Sequence, residues 1–230
     1  MKVISFCLWG DDPKYNVGAI RNAELAQRLF PDWVCRFYIP APPNQPDYKY
    51  PPAMSELSNF ENVKIKLVPW EPNWSMMLAR FHAIAEDNIE VMLSRDCDSR
   101  LSVREREAVD EWLASPKMFH TMHDHPHHSV PILGGMWGIK KGLFSELGRH
   151  AIEWAGVNES RWQVDQDFLT NVVWPIVKND TLNHDEFFRH LWGGVPFPSP
   201  RDGLEFVGQV FNADGTVVSE HQTMLRKYLR

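Results

Sequence analysis

The 230-residue chain reads as a single α/β domain, residues 1–230, with a mostly parallel central sheet and helices on both faces. Three observations predict this class. The stretches VISFCLW (3–9) and VML (91–93) are near-continuously apolar, as strands covered on both faces are. The first forty residues alternate strand, helix and strand, a β-α-β unit whose ligands sit beyond the strand ends. At 43% hydrophobic and 23% charged, the chain can bury one sizeable core, and no repeat or linker divides it.

The elements follow in order. Val3 to Trp9 is the first strand, broken by Gly10, Asp11, Asp12 and Pro13. Ala19, Ile20, Ala23, Ala26, Leu29 and Phe30 recur at helical spacing between Val17 and Pro31. Val34 to Ile39 is a second strand, and the proline-rich stretch 40–61 a connector with a short helix near Met54 to Ser58. Val63 to Val68 is a third strand, and Met76 to Glu86 a helix carrying Arg80. Beyond the strand at Val91, Ser102 and Glu105 match the S-x-x-E capping box, with Ala108, Val109, Trp112 and Leu113 as the apolar stripe of the next helix. Met118 to Met122 is a short strand, Leu143 to Ala155 a helix, and Trp162 to Val173 another, with Asp165 near its start. Past Pro175 the pattern weakens; Glu205 to Phe211 reads as a last strand and the basic end as a short helix or tail.

Composition excludes several classes of function. A net charge of −6 without a long basic run argues against nucleic acid as the main partner. Cys7, Cys35 and Cys97 have no metal-type spacing and suit a reducing compartment. The apolar run after Met1-Lys2 is too short for a signal peptide, and no stretch is long enough to span a bilayer, so the reading is a cytoplasmic protein without a transmembrane segment. The first βα turn lacks G-x-G-x-x-G, the dinucleotide fingerprint.

Chemistry concentrates in RDCDSR, residues 95–100. In an extended segment Asp96 and Asp98 would project to one side, with Arg100 at the same parity and able to reach the same ligand. Neighbouring carboxylates repel unless a cation or shared proton relieves them, and manganese or magnesium suits oxygen ligands while keeping positions for phosphates. Asp and Ser also simply make turns after strands, and Arg100 could serve only to neutralise a carboxylate. His120, His123, His125, His127 and His128 follow no zinc pattern, and Pro126 and Pro131 make theirs a loop, read as a polar ligand-facing segment. Gly134-Gly135 allows close backbone approach, or marks an ordinary bend. Asp165 and Asp167 suit a helix N-terminus for dipole reasons alone.

Taken in order, the β-α-β opening, D-x-D after a central strand, Gly-Gly and D-Q-D-F-L resemble a GT-A glycosyltransferase over roughly residues 3 to 175. The resemblance is to small retaining enzymes of the family-8 galactosyltransferase type and to compact viral or bacterial relatives with an R-D-x-D-S-R-L-S-x-R-E segment. It implies a GT-A-like fold and a nucleotide-sugar donor, with UDP favoured. The acceptor would be a glycan, a protein or a lipid-linked sugar. Leu8, Trp9, Gly10 and Tyr15 would hold base and ribose; Asp96 and Asp98 would bind Mn2+ or Mg2+ and through it the diphosphate. Arg80 would contact the donor, Gly134 and Gly135 would lie beside the transferred sugar, and Asp165 and Gln166 would act near the reacting carbon. A departure is the third metal ligand. Such enzymes take a histidine from a C-terminal H-x-x-G segment, whereas FVGQ here carries Phe206, which leaves His184 or solvent to complete the shell. A phosphohydrolase using D-x-D is a rival, although that motif then belongs after the first strand. A non-catalytic sugar-binding protein using the ten tryptophans is another.

Overall fold

The computed structural model describes residues 1–229. Seven strands form one sheet: β1 (Lys2–Cys7), β2 (Trp33–Pro40), β3 (Val63–Val68), β4 (Val91–Ser94), β5 (Phe119–His123), β6 (Trp137–Lys140) and β7 (Thr181–Asp185). Their order across the sheet is β3-β2-β1-β4-β6-β5-β7. Only β6 runs against the rest, pairing antiparallel with β4 and β5. The parallel register places Ser5 of β1 beside Arg36 of β2 and Ser94 of β4, so these strands end together at one edge. The acidic segment and the first βα turn both leave from that edge.

Helices cover both faces, as the doubly buried strands demand. On one face lie α1 (Pro13–Leu29), α2 (Ala53–Leu57) and α3 (Val103–Ala114). Ala19, Ala23, Ala26, Phe30, Val109 and Trp112 there close over Ile4, Phe6, Phe37 and Leu93. On the other face lie the 3₁₀ segment Trp74–Ala85, α4 (Leu147–Val157) and α5 (Val164–Phe168). Met76, Phe81, Leu147, Ala151 and Phe168 bury Val3, Met92, Trp137 and Ile139. After α5 the helix widens to a π turn, Leu169–Val173, before α6 (Trp174–Val177). Pro175 has no N–H to return to the preceding turn, which accounts for the widening. The chain ends through α7 (Arg189–Trp192) and α8 (Ser219–Tyr228).

Several expectations need correction. The helix expected over Met76–Glu86 is present at Trp74–Ala85, wound as a 3₁₀ helix. Cys7 Sγ and Ser5 Oγ of β1 donate to the carbonyls of Met76 and Arg80, at 2.8 and 2.6 Å, competing for the acceptors an α-helix would use. At α3 only half of the capping box forms. Ser102 Oγ accepts from Glu105 N at 3.2 Å, but the Glu105 side chain is drawn to buried Arg95, 2.5 Å away. Glu205 to Phe211 is not a strand. It runs through turns at Asp202–Glu205 and Phe206–Gln209, with Gly208 at φ +83° and one isolated bridge, Phe211 to Val217. The sheet is completed by β7, where Asn183, His184 and Asp185 are buried.

Candidate active site

The acidic segment leaves β4 after Ser94 and turns at Cys97-Asp98, so it is not extended, and its carboxylates meet different cations. Asp96 pairs with Arg80. Asp98 Oδ2 lies 2.8 Å from Lys14 Nζ, at the start of α1. Gly18 brings α1 onto this turn: a methyl group there would stand 1.9 Å from Cys97 O. Arg100, which alternation placed with the acids, instead donates to Cys97 O and Ser99 O and stacks 5.1 Å from Phe211, in a different groove. The turn reverses the parity that an extended chain would have kept.

Arg80 is the centre of the arrangement. It is only 1% exposed. Nη1 donates to Asp96 and to Arg95 O at 3.1 Å, and Nη2 to Asp165 Oδ2 at 2.9 Å. The guanidinium therefore braces two acids that are 69 residues apart, and both its Nη atoms are engaged by the protein. Burial pushes the Asp165 carboxyl up, with Arg80 opposing and Asp96 adding to the rise. Burial and the Asp96 charge also push Asp98 up, against Lys14.

The Gly-Gly pair has a steric reason. A methyl group on Gly135 would come within 2.2 Å of Asp96 Oδ2. One on Gly134 would come within 2.7 Å of Arg80 Nη2 and 2.9 Å of Asp165 Oδ2. The pair thus makes room for the braced acids. Ser94 Oγ donates to Gly134 O at 2.7 Å, while Gln166 Oε1 accepts from Gly134 N at 3.2 Å and Gln166 Nε2 donates to Ile132 O. In this state Gln166 spends its amide on holding the glycine loop.

These residues line one cleft with two lobes. The larger, about 650 Å³, is bounded by Leu8, Trp9, Gly10, Asp11, Asp12, Tyr15 and Asp98. The smaller, about 250 Å³, is bounded by Ser99, His128, Gly134, Gly135, Gln163, Asp165 and Gln166. Trp74, Met77, Arg80, Asp96 and Trp162 border both. All eleven site residues expected from the sequence lie on this cleft. Trp74 and Trp162, which border both lobes, were not among them, nor was Lys14, which pairs with Asp98. Lys14 had a signal, a cation one residue before Tyr15 in the first βα turn; Trp162 headed an expected helix, and nothing there marked its ring as facing a cleft.

The histidines are mostly interior. His120 Nε2 and His184 Nδ1 are 2.8 Å apart, and His184 also lies 3.5 Å from Glu111, so it borders neither lobe and does not complete the acidic pair. His123 bonds Asn183 Oδ1 and Val130 O, each at 2.8 Å; His128 Nδ1 accepts from Asp124 N at 3.0 Å. Asp124 is fully buried and holds Arg104 and Arg201, which tie down the C-terminal loop. Among the described residues no group of three His, Cys, Asp or Glu is disposed to hold a metal.

Desolvation lowers His120 and His128 well below the ordinary value and His125 to about 4. Unfolded, each would titrate near 6.5, so between about 4 and 6.5 the unfolded chain binds more protons than the folded one. Their contribution to stability is complete above about 6.5 and is lost as the pH falls through that window. The denaturation midpoint is therefore expected to drop steeply from pH 7 to 5. A flat profile over that range would contradict a neutral buried cluster.

The architecture is that of a GT-A-like α/β fold, which solved glycosyltransferases share. A glycosyltransferase involved in glycosylation of the major capsid of PBCV-1 is similar at TM-score 0.51 and 16% identity, over 80% of this chain and 81% of that one. The galactosyltransferase LgtC, solved with donor and acceptor sugar analogs, gives TM-score 0.46 and 14% identity, over 80% of this chain and 73% of that one. No protein-family model and no curated protein matches the chain. Among the described residues no helix is long and apolar enough to cross a membrane.

Proposed function

We propose that the chain is a glycosyltransferase that moves a sugar from a nucleotide-sugar donor, a UDP-sugar, to an acceptor at the smaller lobe, with retention. The observation that carries this is the braced pair: Arg80 holds Asp96 at the junction of the two lobes and Asp165 in the smaller. A nucleoside fits the larger lobe, where Trp9 and Tyr15 offer ring faces, and Lys14, paired with the lining Asp98, adds a positive charge for the diphosphate. The bond to be broken then falls at the junction, with the sugar against Gly134 and Gly135.

The acidic pair suits a divalent cation. Asp98 is partly buried, its carboxyl is raised, and among the described residues Lys14 is its one cationic partner within 4 Å, so negative charge at the turn is under-compensated. Asp96 and Asp98 would hold Mn2+ or Mg2+, leaving the remaining positions to diphosphate oxygens and water. Such an ion supplies Lewis-acid stabilisation of the leaving diphosphate. The rest falls to the chain itself. Lys14 neutralises phosphate charge at the mouth of α1. Asp165, fixed by Arg80 and shielded from water, presents negative charge where the sugar carbon becomes oxocarbenium-like. Gln166 sets the glycine loop on which the sugar rests.

Asp165→Asn tests the assignment. The carboxylate is placed beside the sugar and away from the nucleotide lobe, so transfer is expected to fall by about 10²–10³ with UDP affinity little changed. Donor turnover and calorimetric UDP binding measure the two. An equal loss of UDP affinity would move Asp165 to a structural or metal-holding role.

A further inference from the structure

Trp162 is the most exposed of the bulky apolar residues of the cleft. It is 65% exposed, against 43% for Trp74, and it stands at the junction of the lobes and borders both. Its neighbour Trp74 meets Trp9 edge to face at 6.2 Å, whereas no aromatic ring or cation among the described residues stacks on Trp162. An indole face this open loses hydrophobic stabilisation unless a ligand covers it.

The backbone holds Trp162 in place at a conformational cost. Gln163, the next residue, is at φ 70° and ψ 12°, and among the described residues it is the only one other than glycine with positive φ. Such geometry persists where surrounding contacts impose it, and it gathers at functional sites. The contacts are present on both sides. Arg161 pairs with Asp167 and donates to Trp162 O at 3.2 Å. Trp154 Nε1 donates to Val164 O at 3.0 Å, fixing the start of α5 two residues after Trp162. Ser160 Oγ accepts from Ser75 N at 3.1 Å, which ties the Trp162 loop to the segment bearing Trp74. Asp165 follows Trp162 by three residues, so one short stretch presents both the exposed indole and the buried carboxylate.

We propose that Trp162 is a platform for a pyranose ring of the acceptor, and that the acceptor is accordingly a saccharide. The proposal rests on the glycosyl-transfer reading. The smaller lobe, about 250 Å³, lies below the range that holds drug-sized ligands and suits the donor sugar alone, which leaves the acceptor ring at its mouth, on Trp162. A pyranose has an apolar C–H face and a polar rim. Trp162 matches the face, and Ser99, His128 and Gln163 offer hydrogen-bonding groups for the rim. Its exposure places Trp162 at the entrance, where the second substrate arrives; the donor sugar belongs deeper, against Gly134. A serine or threonine hydroxyl has no comparable face to set on an indole.

Saturation-transfer NMR with methyl β-D-galactopyranoside, methyl β-D-glucopyranoside and N-acetylserinamide tests this, alongside calorimetric titration of UDP with manganese. The native chain, Trp162→Ala and Trp162→Phe are compared. Trp162→Ala is expected to weaken glycoside binding about tenfold, Trp162→Phe to restore most of it, and UDP affinity to stay nearly unchanged in both. Because the side chain is exposed, the thermal midpoint should hold, which separates lost binding from lost fold. The proposal is overturned if UDP affinity falls in step with glycoside affinity, if Trp162→Ala binds glycosides normally, or if the native chain binds the serine amide and no glycoside. Absence of UDP binding by the native chain would contradict the transfer reading instead. Glycoside loss confined to Trp162→Ala would still identify the platform.

Discussion

Replacing Arg80 with methionine is expected to lower stability by about 3–5 kcal/mol and to abolish transfer. The size of the effect follows from what the substitution leaves behind. Arg80 is 1% exposed and Asp165 7%, and among the described residues the guanidinium is the one cation within 4 Å of either Asp165 or Asp96. Methionine fills a comparable space but leaves two acids facing each other across the glycine loop, one of them buried. A buried carboxylate without a partner takes up a proton or draws in water, and either change alters the shape of the smaller lobe. For a chain of this length the thermal midpoint should fall by roughly 10 °C. Denaturant and thermal melts measure the stability, and donor turnover the activity. A midpoint equal to that of the native chain would mean that the Arg80 bridge holds neither acid.

Asp98→Asn is expected to act on binding rather than folding. The shapes match, and the Lys14–Asp98 pair lies near the surface, so loss of the ion pair itself costs about 1 kcal/mol at most. What the change removes is charge at a turn whose negative charge is already under-compensated. In the native chain manganese should raise UDP affinity about tenfold or more, and UDP should raise manganese affinity by the same factor. In Asp98→Asn that coupling should largely vanish, with transfer falling by roughly two orders of magnitude. Calorimetric titration of UDP with and without manganese reads the coupling directly. An unchanged coupling in the variant would place the metal elsewhere.

The sheet was legible because its central strands carry little besides apolar residues, so Val3 to Cys7 and Val91 to Leu93 announce burial on both faces. β7 was not legible, since Asn183 and His184 are buried through polar partners on β5 and Asp185 through the amides of Phe187 and Phe188, leaving no hydrophobic trace. Conversely, Phe206 and Val207 gave the stretch 205–211 a strand-like look, although they pack singly. Phe206 lies 4.4 Å from the His125 ring, and Val207 N donates to Asp124 at 2.9 Å. At the site, residue types carried the reading further than spacing did. Asp96, Asp98, Gly134, Gly135 and Asp165 share a cleft, but alternation misplaced Arg100 because the segment turns at Cys97-Asp98. The brace through Arg80 joins three distant segments, and no local pattern encodes it.

The claim that this cleft receives a nucleotide sugar is tested most directly by a thermal-shift panel of nucleotide sugars with and without manganese. A ligand at about a hundredfold its dissociation constant stabilises the folded state by roughly 2.7 kcal/mol, enough to raise the midpoint visibly. One UDP-sugar should stand out, its shift should shrink without manganese, and Asp98→Asn should lose it. If no nucleotide sugar shifts the native midpoint under either condition, the chain has the fold of a glycosyltransferase but not its donor site.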